Sequence, residues 1–272
     1  MPRLFALFVL LLAAGGCCLN RSFTPISPSQ FLGSEHSRKG IAALERGDLT
    51  EAEKRLEDAI KYNKNDINHR RYYAEVLWQQ GKHQESLQQL SEAVQRGGQS
   101  DASLHLSLAA KCLAIRDYTS AYRYADEAVR LDSRDAQSWA LRGRTMRLQA
   151  IQMAGHAEEV SKMFHQSRED YLRAVSLSPN DRELLAELAA VQMDCGQPER
   201  AWATWLSLQN MYPQGGEPAE VLLGKTETLM ALQRFDEVQS NLLALQQRGS
   251  ASPEAEQRWQ RMFMAVQDHV RR

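Results

Sequence analysis

The chain has 272 residues, 43% apolar and 25% charged, enough for one large domain or two small ones with a sizeable core. Its 15 Gly and 8 Pro fall below the roughly 12% of average usage, which favours helix. The 33 Lys and Arg balance 34 Asp and Glu to a net charge of −1, too little to draw in nucleic acid or anionic lipid, so no nucleic-acid partner is expected.

At the start of the chain, Leu4 to Ala14 is an unbroken uncharged run behind Met1-Pro2-Arg3, closed by Gly15-Gly16-Cys17-Cys18. One positive charge, an apolar stretch well short of the about 20 residues that cross a bilayer, and then small residues make residues 1–18 a signal-peptide pattern. Ala14-Gly15-Gly16-Cys17 resembles a bacterial lipobox, in which a cysteine is acylated and becomes the mature N-terminus. Ala14 stands where that motif usually has Leu, and Cys18 offers a second acceptor. The resemblance implies a lipid anchor on Cys17 or Cys18 and a place in the cell envelope, on the periplasmic side of a membrane. Cleavage and release as a secreted or soluble periplasmic protein is the alternative, and an uncleaved anchor is another. Residues 19–33, with Asn20, Ser22, Thr24, Pro25, Ser27, Pro28 and Ser29, bury little apolar area and read as a flexible tether.

Beyond the tether a motif recurs: a tight-turn residue, a polar residue, an apolar residue, and a small residue five places on. Gly47-Asp48-Leu49 with Ala52 is followed 34 places later by Gly81-Lys82-His83 with Ser86, and 35 places after that by Arg116-Asp117-Tyr118 with Ala121. Gly196-Gln197-Pro198 with Ala201 and Gln233-Arg234-Phe235 with Val238 continue the series. This periodicity predicts repeated helical hairpins, all-α throughout. Small residues at Gly40, Ala74, Ala109, Gly143 and Ala189 on the first helices face Ala52, Ser86, Ala121, Ser167 and Ala201 on the second, allowing close approach. Gly47, Gly81 and Gly196 sit where a left-handed backbone is expected.

At these residues the chain resembles the tetratricopeptide repeat family, in bacterial lipoprotein form, over residues 33 to 252. Six units align: 33–66, 67–100, 102–135, 136–181, 182–215 and 219–252. Trp139, Gly143, Ala174 and Pro179 fill pattern places in the fourth, and Leu185, Leu188, Ala189, Gly196, Ala201 and Pro213 fill them in the fifth. The chain departs from the pattern at His36 and Arg70 in the large fourth place, and units three and six lack the turn glycine. The resemblance implies a right-handed superhelical solenoid of about six hairpins. Residues 253–272, with Ser252-Pro253 as a start signal and Ala255, Trp259, Met262, Phe263, Val266 and Val270 at helical spacing, read as a capping helix. Unit four carries twelve extra residues, about Ala150 to Ser161. They predict an elongated hairpin turning at Gly155, with Ile151, Met153, Val160, Met163 and Phe164 on one side, packed on its neighbour or serving as a docking arm.

No metal-ligand spacing links the histidines, no phosphate-cradling glycine loop appears, and neither a metal nor a cofactor is expected. Cys112 and Cys195 read as buried structural thiols, with a disulfide between them as the lesser alternative. No catalytic residue is assigned and no enzyme activity is expected. The family resemblance instead implies a protein or peptide partner in the groove formed by the first helices. Carried over by position, the groove residues include Arg38, Arg71, Tyr72 and Trp78 near the N-terminal end, Arg144 and Arg147 in the middle, and Glu187, Asp194 and Glu227 beyond. That order predicts a bipolar groove, basic and aromatic at one end and acidic at the other, with Tyr72 and Trp78 as anchors. The layout is similar to that of pilotin-class six-repeat lipoproteins. The expected function is a membrane-tethered scaffold in assembly of an envelope complex, and the alternative is a regulatory or substrate-recruiting subunit of an envelope enzyme.

Overall fold

The computed structural model describes residues 27–153, 156–213, 216–248 and 253–270. Among them are thirteen α-helices, one 3₁₀ turn at Gly98–Ser100 and no strand. The helices pair as α1 (Pro28–Glu45) with α2 (Leu49–Tyr62), α3 (Ile67–Gln79) with α4 (His83–Gln95), and α5 (Ala102–Ala114) with α6 (Tyr118–Leu131). Then come α7 (Ala136–Gln152) with α8 (Ala157–Leu177), α9 (Arg182–Asp194) with α10 (Pro198–Gln209), and α11 (Ala219–Ala231) with α12 (Phe235–Arg248). Each hairpin packs on the next, and α13 (Pro253–Val270) lies against both helices of the sixth. The architecture is the expected right-handed solenoid of six hairpins with a terminal cap.

The small residues do what their spacing predicts. Ala52, Ser86, Ala121, Ser167 and Ala201 are all fully buried, as are Ala74, Ala109 and Ala189 opposite. Two of the pairs are also tied by hydrogen bonds: Ser86 Oγ donates to the Ala74 carbonyl at 2.6 Å and Ser167 Oγ to that of Gly143 at 2.8 Å. A Cβ on Gly143 would stand 3.1 Å from the Ser167 carbonyl and 3.2 Å from Tyr171, so the helices touch through bare backbone. Starts are set by aspartate caps: Asp48, Asp66, Asp101, Asp117, Asp135 and Asp181 each accept a backbone N–H of the following turn. The core is a chain of clusters bridging neighbouring helices, of which Ala74, Leu90, Ala93, Leu104 and Leu108 are one. Arg70, in a place the repeat usually fills with an apolar group, is 5% exposed and binds Glu92 and Gln89, both at 2.7 Å.

One boundary is corrected. The tether read through residue 33 ends at Ser27, because α1 begins at Pro28. Ser27 Oγ accepts the Gln30 N–H while Gln30 Oε1 accepts that of Ser27, a capping box with proline in the first helical position. Unit four is elongated as expected: α7 has 17 residues and α8 has 21, against 13 and 14 in α5 and α6. Ile151 on this arm is 57% exposed, and Met153, Val160, Met163 and Phe164 are half-buried. The Gly155 turn, the Ser252 cap, the leader and Cys17 and Cys18 lie outside the described residues. No helix among the described residues is long and apolar enough to cross a membrane.

Candidate functional site

The first helices α1, α3, α5, α7, α9 and α11 stand in a row, and the groove residues expected from the sequence all lie on them. Six of the nine are engaged in ion pairs that cross from one hairpin to the next or to the cap. Arg71 on α3 reaches Asp101, the α5 cap, at 2.7 Å and Ser103 at 3.1 Å. One turn along the same junction, Lys111 Nζ sits 2.9 Å from Glu75. Between α7 and α9, Arg144 bonds Glu183 at 2.7 Å and Glu187 at 3.0 Å, while Arg147 bonds Asp194 at 2.5 Å and approaches Glu187 at 3.5 Å. The buried Tyr171 hydroxyl on α8 donates to the same Glu187 at 3.2 Å. At the far end, Arg258 of the cap holds Glu227 at 2.7 Å.

This arrangement departs from the bipolar groove, because these cations and anions satisfy one another across neighbouring elements. Half-buried helix walls supply rigid bases for these side chains, which lowers the entropy lost in pairing them. Burial works against the charge on Arg144, yet Glu183 and Glu187 hold its guanidinium firmly protonated. Partial burial pushes the Glu75 carboxyl up, but hydrogen bonds from Lys111 and Gln79 outweigh it and keep it below its ordinary range. Tyr171 is pushed up by burial and beside Glu187 stays a neutral donor.

Three expected residues stand outside the ladder. Trp78 is half-buried, its ring centroid 4.3 Å from that of His83 and 4.5 Å from Lys111 Nζ, so it serves packing between hairpins. Arg38 and Tyr72 are exposed, and both line an open cleft of about 560 Å³ between α1 and α3. Sequence reading placed Glu183 in the groove and Arg258 on the outer face of the cap but did not see them as partners of Arg144 and Glu227, and it missed Asp101 and Lys111 altogether. Their signal is charge of opposite sign recurring about one repeat further on, readable only once the stacking offset is known.

Cys112 and Cys195 are free thiols, which removes the alternative of a disulfide between them. Cys112 is 3% exposed and burial pushes its thiol up to about 11, leaving it protonated at neutral pH. Burial also raises Cys195. Among the described residues no group of three His, Cys, Asp or Glu side chains converges on a metal-sized site.

With six hairpins in register and their inner row defined, the sequence comparison decides the family: residues 37–102 match the tetratricopeptide repeat profile. That stretch belongs to the tetratricopeptide repeat family. Repeats of this kind are generally scaffolds for protein interaction. A search of curated proteins gives no match. Among solved structures, PilW, described as a widely conserved type IV pilus biogenesis factor, is similar with a TM-score of 0.67 at 16% identity, over 83% of this chain and 97% of PilW. PilF of Pseudomonas aeruginosa gives 0.66 at 17% identity, over 85% of this chain and 98% of PilF. MamA of Desulfovibrio magneticus RS-1 gives 0.57 at 16% identity, over 68% and 96%. At these identities the likeness is one of fold.

Proposed function

We propose that this tetratricopeptide-repeat protein is a membrane-tethered scaffold that receives a protein partner in the cell envelope, without chemical turnover of its own. The observation that carries the reading is the inner row of first helices, latched hairpin to hairpin by ion pairs, with Arg38 and Tyr72 left open at its N-terminal end. A pre-shaped surface of this kind binds at low ordering cost. The lipobox-like Cys17 and the neighbouring Cys18 support a lipid anchor, and about ten residues, 18–27, then separate the acylated cysteine from the first helix. The likeness of PilW and PilF over nearly their whole length supports a part in assembling an envelope complex.

Two measurements test this. Cys17→Ser combined with Cys18→Ser is expected to shift the protein from the membrane to the soluble fraction, and retention in the membrane refutes the lipid anchor. A photo-crosslinking residue at Tyr72 is expected to trap one specific protein in cells, whereas the same residue at Leu172, exposed on α8, traps none. Equal trapping at both positions, or none at Tyr72, refutes the groove as the docking surface.

A further inference from the structure

The cleft between α1 and α3 differs from the junctions that follow it. Between α3 and α5, Arg71 and Glu75 are spent on Asp101 and Lys111, and between α7 and α9 both arginines are spent on carboxylates. In the first cleft Arg38 and Glu45 line opposite ends of the α1 wall, and neither has an ion-pair partner among the described residues. On the α3 wall the Asn68 side-chain amide and the Tyr72 hydroxyl make no hydrogen bond among the described residues either. His69, which also lines the cleft, is only 3% exposed, yet its Nδ1 has no hydrogen-bond partner. Buried polar atoms are seldom left unpaired, and the exceptions call for an explanation.

Arg38 and Glu45 are seven residues apart on one helix, which puts them on the same face and about 10 Å apart along it. Ile41, one turn from each, also lines the cleft and supplies apolar surface between them. The complement of that wall is a second helix with the opposite pattern: an acidic residue against Arg38, apolar residues against Ile41 and Tyr72, and a basic residue two turns away against Glu45. An extended strand matches it poorly, since residues three apart in a strand point to opposite sides. We propose that this cleft seats an amphipathic helix of the partner that carries one acidic and one basic residue two turns apart with apolar residues between. The assignment rests on the scaffold reading above and deepens it: charge pairing fixes where the helix sits, and the apolar contact holds it.

The test uses the full-length chain in detergent micelles and a defined probe. The probe is a fluorescent fifteen-residue alanine-based peptide, stapled as a helix on its outer face, with glutamate, leucines three and four places later, and lysine at the seventh, made in both charge orders. At least one order is expected to bind, and Arg38→Glu is expected to weaken it at least tenfold. Exchanging the probe's glutamate for lysine should restore binding to Arg38→Glu while weakening it for the wild type. Tyr72→Phe, which leaves the ring in place, should cost about threefold. No binding in either order, equal affinity for Arg38→Glu, or equal affinity for a probe with both charges changed to glutamine overturns the proposal. An unstapled probe interrupted by proline that binds as well overturns the helical occupant in favour of an extended segment. A specific Tyr72 crosslink in cells, together with a probe insensitive to Arg38→Glu, would discard this occupant and leave the scaffold standing.

Discussion

At five hairpins the residue after the first helix takes a left-handed backbone: Gly47, Gly81 and Gly196 with φ of 77°, 78° and 67°, and Arg116 and Gln233 with 63° and 59°. A Cβ at any of the three glycines would meet nothing within 4 Å, so a side chain there costs backbone energy alone. That cost is about 1–2 kcal/mol for a non-glycine residue, offset by roughly 0.5–1 kcal/mol from the smaller unfolded-state entropy. Arg116→Gly and Gln233→Gly are each expected to stabilise by about 0.5 kcal/mol, and Gly81→Ala to destabilise by a similar amount, read from urea midpoints. Equal midpoints for Arg116→Gly and the wild type would show that the turn is not strained. The turn glycines and small contact residues were legible in the sequence because each answers one steric demand that few residues meet. The Ser27 capping box was equally legible in principle, but the proline and serines around it read as tether composition. The unpaired His69 nitrogen was not legible, because pairing depends on neighbours that only the stack supplies.

Between elements, the hairpins are latched by pairs whose partners lie 29 to 47 positions apart in sequence, such as Lys82 with Glu53 and Arg147 with Asp194. Reading each unit by itself assigned the groove charges among these to an external ligand, since the helix that neutralises them belongs to the next unit. A double-mutant cycle on Arg147→Ala and Asp194→Ala is expected to give a coupling of about 0.5–1 kcal/mol, and additivity would show that the pair is ornamental. Acid should also loosen the latches. Hydrogen bonds from Lys82 and Gln80 hold the Glu53 carboxyl below its ordinary range, and Glu75 and Asp101 are held below it too, their hydrogen bonds outweighing burial. A lowered folded pKa means that the native state binds fewer protons than the unfolded chain. The stabilisation is therefore complete above the ordinary carboxylate range and is lost as pH falls through it toward the lowered values. Thermal midpoints should drop on that acid limb, and Glu53→Gln should make the drop shallower. A limb unchanged by Glu53→Gln would remove Glu53 from the account.

For the whole molecule, order depends on neighbours, because each hairpin buries its apolar face only against the next. At the C-terminal end Met262 and Val266 of α13 close a cluster with Leu222, Leu229, Val238, Leu242 and Leu245. Removing residues 253–272 is expected to abolish hydrogen-exchange protection in α11 and α12 while α3 to α6 keep theirs. Uniform loss along the chain would mean that the stack melts as one unit. The fold class, the number of hairpins and the terminal cap were all readable, the first two from a repeat that aligns as six units and the third from its own helical spacing. The open cleft at the first junction was not, since it is defined by pairs that form elsewhere and fail to form there.

The elongated fourth hairpin gains its length beyond the Gly143 and Ser167 contact, so the added turns leave the spacing of the stack untouched. Its outer end is therefore a natural splice point. A foreign epitope grafted between Met153 and His156 would ride outside the repeats, reporting where the protein resides in living cells while the latches and the first cleft keep their shape.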